Sequence, residues 1–163
     1  MSTQKTTTNL ESEKSSKWLV EPLVSVKVKK SYAGLGLFAE QDIQAETKII
    51  EYVGDIITTE EADKRGGRYL FEVNSKITID GKDRENLGRY LNHCCKPNCE
   101  ARLKKDKIFF WAFKDIKKGD ELTFDYGKEY MNEILIGTDG GCLCAVCIKK
   151  RERKAAKNNE VVK

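Results

Sequence analysis

The sequence predicts a mainly β fold made of several small sheets. Three features lead there: the strand candidates are mostly under eight residues, they are rich in β-branched and aromatic residues, and glycine-marked turns separate them. At 163 residues the chain is long enough for one core and too short for two comfortable ones.

The elements follow in order. Residues 1–17, "MSTQKTTTNLESEKSSK", offer almost nothing apolar to bury and read as a disordered lead-in. "LVSVKV" (23–28) reads as a strand, and "AGLGLFAEQDI" (33–43) as a glycine-punctuated turn running into another apolar segment. "TKIIEYVGDII" (47–57) predicts two short strands meeting at a bend at Gly54. Thr58 and Glu61 have capping-box spacing, so "TEEADKRGG" predicts a short helix stopped by Gly66 and Gly67. "YLFEV", "KITID", "CEARLK" and "KIFFWAF" are further strand candidates. "KKRERKAAK" (149–157) is a basic, helix-favouring tail without an apolar stripe, most simply a solvated end, with nuclear targeting or contact with an acidic partner as the other uses.

Composition narrows the function classes only loosely. Lys and Arg number 30 against 26 Asp and Glu, and the formal net charge of +4 suits an acidic partner without demanding one. No segment approaches the roughly 20 apolar residues that cross a bilayer, and the first residues lack the apolar stretch of a secretory signal. The expectation is a soluble intracellular protein. All six cysteines lie between Cys94 and Cys147, and in a reducing compartment such clustering points to metal rather than to a disulfide framework.

Cys142, Cys144 and Cys147 in "GCLCAVC" can converge on one ion, but a closed structural zinc site takes four ligands in a tetrahedron. The fourth is among His93, Cys94, Cys95 and Cys99 of "NHCCKPNC", and spacing alone does not choose between them. Such a bond would fasten the tail to a distant loop, a staple that suits a small domain.

Four further pieces stand in order: "GLG" (34–36), "EYVGD" (51–55), "RYLNHCCKPNC" (89–99) and "GDELTFDYG" (119–127). Together with "CLCAVC" they resemble the SET-domain protein lysine methyltransferases, over about residues 23–148. The resemblance implies a SET domain over 18–136, a post-SET-like zinc-binding segment over 137–148 and a basic tail over 149–163. It implies small curved β-sheets, with the "NHCC" and "ELTFDY" segments brought together by threading one through a loop made by the other. It also implies S-adenosylmethionine on one face and a substrate lysine entering from the opposite face.

The site residues the resemblance implies are these. Tyr126 is the catalytic tyrosine, Tyr52 lines the lysine channel, and Phe124 holds the position where a hydroxyl would retain a water that obstructs further methylation. Gly34, Leu35 and Gly36 form the turn against the methionine part of the cofactor, where the absent Cβ permits close approach. Asn92 and His93 contact the cofactor, Tyr69 and Arg89 stand at cofactor-contacting positions, and Leu143 covers the adenine. His93, Tyr69 and Leu143 also suit an ordinary packing role. Cys95 is implied as the fourth zinc ligand beside Cys142, Cys144 and Cys147, and Cys94 and Cys99 are not needed as nucleophiles.

Two departures accompany the likeness: Cys94 stands where the family usually has serine, and only two residues separate Cys144 from Cys147 where the family commonly has four. The stretch between Gly54 and Tyr69, with which the family reads substrate sequence, is short. The implied function is protein-lysine methylation, with a histone tail as substrate, a di- or trimethyl product, and a nuclear or chromosomal location in a eukaryote, cytoplasmic otherwise. The competing readings are an inactive SET fold that binds peptide or chromatin, a methyltransferase of a non-histone protein, and a zinc-stapled nucleic-acid module; the near balance of charges gives direct nucleic-acid binding no strong support.

Overall fold

A computed structural model describes residues 19–135 and 141–161. The expected lead-in over 1–17 lies outside the described residues, as does the boundary expected between residues 136 and 137. The first hairpin joins β1 (Val26–Ser31) to β2 (Gly34–Ala39), with Ser31 opposite Gly34 and Val26 opposite Ala39. The turn is therefore Tyr32–Ala33, and the glycines expected in it belong to the second strand. The strand expected from residue 23 starts at Val26 because the chain before it is committed elsewhere: the Leu23 N–H donates to Ile49 O at 2.8 Å and Val24 is buried.

The bend at Gly54 separates β3 (Lys48–Tyr52) from β4 (Asp55–Thr58). Helix α1 (Thr59–Arg65) is capped by Thr58, whose hydroxyl accepts the Glu61 N–H at 3.1 Å, and ends at Gly66 with φ 59°. Then come β5 (Leu70–Asn74), β6 (Ile77–Asp80), a tight helical turn at Leu87–Tyr90 and the two-residue β7 (Asn92–His93). A hairpin of β8 (Cys99–Lys104) and β9 (Lys107–Ala112) precedes β10 (Glu121–Phe124). Two helices close the described chain, α2 (Lys128–Leu135), which the sequence reading did not anticipate, and α3 (Ala145–Val161), which extends the basic tail at both ends.

Among the described residues the strands form three sheets, in the orders β1-β2-β10-β7, β3-β9-β8 and β4-β6-β5. Alternation along β9 turns Ile108, Phe110 and Ala112 inward. Phe110 is fully buried and joins Leu37, Ile49, Ile50 and Leu122, drawn from two sheets, and Leu91, just before β7, in one core. Cys99 is also fully buried there, and burial pushes its thiol up to about 12. It is a packing residue.

Two close approaches position the site. A Cβ on Gly54 would lie 2.2 Å from the Asp80 carbonyl oxygen, so glycine lets the β3–β4 bend press on the end of β6. A Cβ on Gly81 would lie 2.4 Å from the Tyr52 hydroxyl, which in turn donates to Tyr69 O at 2.8 Å. Burial, with Tyr130 and Tyr126 nearby, raises the Tyr52 phenol well above its ordinary value.

Gly54→Ala is expected to cost about 1–3 kcal/mol, because the obstruction is backbone rather than a movable side chain; urea denaturation measures it. A second expectation concerns alkaline pH. The folded state holds the Tyr52 proton more tightly than the unfolded chain does, so this contribution to stability is intact below about pH 10 and is lost as the pH rises above it. Urea midpoints from neutral to strongly alkaline pH should fall above that point, and less steeply in Tyr52→Phe.

Candidate active site

Strand β7 pairs in parallel with the end of β10, Asn92 opposite Thr123 and His93 opposite Phe124. The crossing is secured by Asn98, whose Oδ1 accepts the Thr123 N–H at 2.9 Å while its Nδ2 donates to Glu121 O at 2.8 Å. The backbone adds Cys94 N–H to Phe124 O at 3.1 Å and Asn98 N–H to Thr123 O at 3.2 Å. Upstream, Asn86 is wholly buried; it donates to Gly81 O at 3.2 Å and accepts the Gly88 N–H at 3.1 Å, which sets the turn that delivers β7.

Neighbours in sequence at this crossing open onto different cavities. Leu91, Phe124 and Tyr126 line a cavity of about 860 Å³, whereas Asn92, His93 and Thr123 line a recess of about 220 Å³. The crossed strands are the wall between them.

The larger cavity has an aromatic floor. Phe124 stacks on Phe71 at 6.0 Å between ring centres and tilts against Phe110 and Tyr126, each at 4.7 Å, and Tyr126 meets the edge of Tyr130 at 5.4 Å. The Tyr126 hydroxyl donates to Leu91 O at 2.9 Å, and the Tyr130 hydroxyl donates to Arg68 O. Burial, with Tyr130 and Tyr69 nearby, raises the Tyr126 phenol well above its usual range, so it stays protonated at neutral pH. Tyr52 lines this cavity, as do Tyr69 and Arg89. The Arg89 guanidinium lies 3.9 Å from the centre of the Tyr69 ring and donates through Nη1 to Lys82 O. Both residues are thus on the side of Tyr126 and apart from the Asn92–His93 recess.

In the smaller recess the Asn92 carboxamide has a fixed orientation. Its Nδ2 donates to Leu35 O at 3.0 Å and to Glu121 Oε1 at 2.8 Å, which leaves Oδ1 to accept from a ligand. Glu121 Oε1 also accepts from the Ser31 hydroxyl at 2.7 Å, and a Cβ on Gly36 would lie 2.3 Å from the same oxygen. Gly36 therefore makes room for the Glu121 carboxylate, and Gly34 is required for a different reason, its φ of 111°. Leu143, half-exposed, lies on the rim.

His93 joins the two sides. Its Nδ1 accepts the Tyr126 backbone N–H at 3.2 Å, which puts the ring proton on Nε2, 3.3 Å from Cys95 Sγ. Burial lowers its pKa against the opposing pull of Asp125, so the ring is neutral at pH 7.

The sulfurs of Cys95, Cys142, Cys144 and Cys147 lie within 4.8 Å of one another, with Cys95 at 3.9 Å from Cys142 and 3.5 Å from Cys147. Tetrahedral zinc with bonds of about 2.3 Å separates its sulfurs by about 3.8 Å, so the four thiols fit that ion. Burial works against the Cys144 thiolate, yet the N–H groups of Cys95 and Cys147 and the adjacent thiols bring it down to about 6. Cys94 and Cys99 are buried and stand outside the group of mutually close sulfurs, although Cys94 lies beside Cys144, and Cys95 is the group's upstream member.

Glu121, Asn98 and Tyr130 were not singled out by the sequence reading. Glu121 stood inside a quoted motif without any sign of its target, and Tyr130 belongs to the unanticipated helix α2.

The sequence profile of the SET domain matches residues 34–127. Among curated proteins, the chain is 40% identical over 104 residues to "Histone-lysine N-methyltransferase set1" of Dictyostelium discoideum, a match covering 56% of this chain and 7% of the relative. It is 40% identical over 105 residues to "Histone-lysine N-methyltransferase, H3 lysine-4 specific" of Schizosaccharomyces pombe, covering 56% and 11%. It is 38% identical over 112 residues to human "Histone-lysine N-methyltransferase 2D", covering 61% and 2%. The matched segment is thus a small part of each relative. Among solved structures, the Chaetomium thermophilum polycomb repressive complex 2 aligns with a TM-score of 0.61 at 35% identity, covering 67% of this chain and 16% of that one. With the profile spanning more than half of its residues and the crossed strands in place, the chain belongs to the SET-domain family.

Proposed function

We propose that the chain is an S-adenosylmethionine-dependent protein-lysine N-methyltransferase acting on a histone tail and carrying its product to the di- or trimethyl state. The observation that carries this reading is the wall between the two cavities, with Tyr126 on one side and Asn92 and His93 on the other. The names of the relatives support a histone as substrate, and such a substrate implies a chromosomal location in a eukaryotic nucleus. No helix of the described residues is long and apolar enough to cross a membrane.

S-adenosylmethionine supplies an electrophilic methyl group on a sulfonium. The free Asn92 Oδ1 suits its ammonium, and the small recess rimmed by Leu143 suits the remainder. Among the expected cofactor contacts, Leu35 acts through its carbonyl, which orients Asn92. Tyr69 and Arg89 face the cavity of the incoming lysine in this reading.

A lysine at neutral pH must first lose its proton, a cost of roughly 4 kcal/mol from its ordinary pKa near 10.4. The aromatic walls of Tyr52, Phe71, Phe124 and Tyr126 disfavour the ammonium by desolvation. Tyr126 holds its own proton and spends it on Leu91 O, so its lone pairs accept from the amine and aim the nitrogen at the wall. Alignment of this kind contributes about 7 kcal/mol or more. Phe124 presents no hydroxyl to retain a water, which leaves space for a methylated amine.

The test is incubation of the purified chain with S-adenosylmethionine and recombinant histone H3, read by mass spectrometry. Di- and trimethyl lysine should accumulate, and Tyr126→Phe should slow the reaction by about 10²-fold or more. A product that stops at monomethyl overturns the product state, and the absence of transfer to any histone overturns the substrate. For the cysteines, we propose structural zinc on Cys95, Cys142, Cys144 and Cys147. Elemental analysis should find one zinc per chain, lost in Cys144→Ser, and a chelator should lower the melting temperature and weaken S-adenosylmethionine binding because Leu143 sits between two of the ligands.

A further inference from the structure

We propose that α3 is a docking face for the phosphate backbone of duplex DNA. The helix runs for 17 residues, about 25 Å, and residues 149–157 are exposed throughout. Lys149, Arg153 and Lys157 recur every four residues, and Lys150 and Lys154 fall on the adjoining row. At 3.6 residues per turn these five cations share an arc of about 140°, and Glu152 lies outside it, about 60° beyond Lys149. Arg151 is committed inward: its Nη1 donates to Cys142 O at 2.9 Å and ties the helix to the cysteine loop. The basic face is therefore presented from an anchored base.

The five cations have no partner among the described residues. Elsewhere the chain pairs many of its surface cations, as in Lys29–Glu40, Lys64–Glu60, Arg102–Glu46 and Lys117–Asp42. The occupant is identified by what the helix lacks as much as by its charge. From Lys149 to Lys157 it carries no aromatic residue on which an unpaired base could stack, and no apolar stripe for a bilayer or a hydrophobic protein groove. Phosphate backbone asks only for cations spaced along a rigid element, and a duplex offers one charge per about 1.7 Å and a major groove about 12 Å wide that admits a helix. Binding of this kind is independent of base sequence, and it stands whether or not the histone reading holds.

Fluorescence anisotropy of the full chain with a short labelled duplex tests it. Five neutralised phosphates give a slope of log K against log salt of about −4.5, hence about 500-fold weakening between 50 and 200 mM salt. Replacing Lys149, Lys150, Arg153, Lys154 and Lys157 by Gln, which keeps helix propensity, should flatten the slope to about −1 or less and weaken binding at least ~50-fold at low salt. The triple change Lys149→Gln, Arg153→Gln, Lys157→Gln should reduce the slope by about 3. Circular dichroism and methylation of a free peptide should be unchanged in both, and Lys104→Gln with Lys105→Gln, on the β8–β9 turn, should leave DNA binding within about twofold. Three results overturn the proposal: no duplex binding at low salt, equal loss in the Lys104 and Lys105 control, or tighter binding to single strands or to phosphatidylserine vesicles than to duplex.

Discussion

Asn98 holds together two segments that lie more than twenty residues apart, and the two cavities exist because it does. Its carboxamide accepts from Thr123 and donates to Glu121, while its own backbone N–H reaches Thr123 O and its carbonyl accepts from Phe113 at 3.2 Å. A parallel pairing of two residues, β7 on β10, has too few ladder bonds to persist alone. The side chain supplies the missing partners, and a buried polar group left without one costs about 1–3 kcal/mol. Once this crossing is fixed, Leu91, Phe124 and Tyr126 face one cavity and Asn92, His93 and Thr123 face the other.

From the crossing, His93 carries positional information in two directions. Its acceptor nitrogen holds the backbone of Tyr126 and its donor nitrogen approaches the sulfur of Cys95. The tautomer is set by the first contact, and that setting directs the proton of the second. A histidine that donates to a thiolate ligand is an outer-shell partner of a metal site, the arrangement that orients ligands and tunes their basicity. The residue that began as one of four possible ligands thus sits beside Cys95, and it links the cysteine group to the tyrosine.

Much of this was legible before the structure. Strand lengths, the Gly54 bend and the Thr58 cap were readable because each depends on residues close in sequence. The clustering of four cysteines followed from counting ligands, although naming Cys95 needed the resemblance. What could not be read is what depends on distant partners. Gly36 looked like a residue bared for a ligand, yet the atom occupying its Cβ position belongs to Glu121, 85 residues away. Tyr69 and Arg89, expected at the cofactor, line the cavity of Tyr126, because the side on which a residue falls is decided by the crossing. Helix α2 escaped because "KEYMNEIL" is short and follows no cap signal.

The core and the cysteines divide the labour of holding the chain. Among the described residues, core members and the residues packed against them run from Val24 to Phe124, and none comes from residues 141–157. Leu143 is half-exposed and residues 149–157 of α3 are exposed, so apolar burial there supplies little to fix that segment in place. Surface ion pairs cannot substitute, since exposed pairs such as Lys117–Asp42 contribute about 1 kcal/mol at most. Four thiols meeting at tetrahedral spacing can in the zinc-bound state we propose, because a metal bond is strong without needing area. In that state a few residues would set both the rim of the recess and the base of the cationic helix.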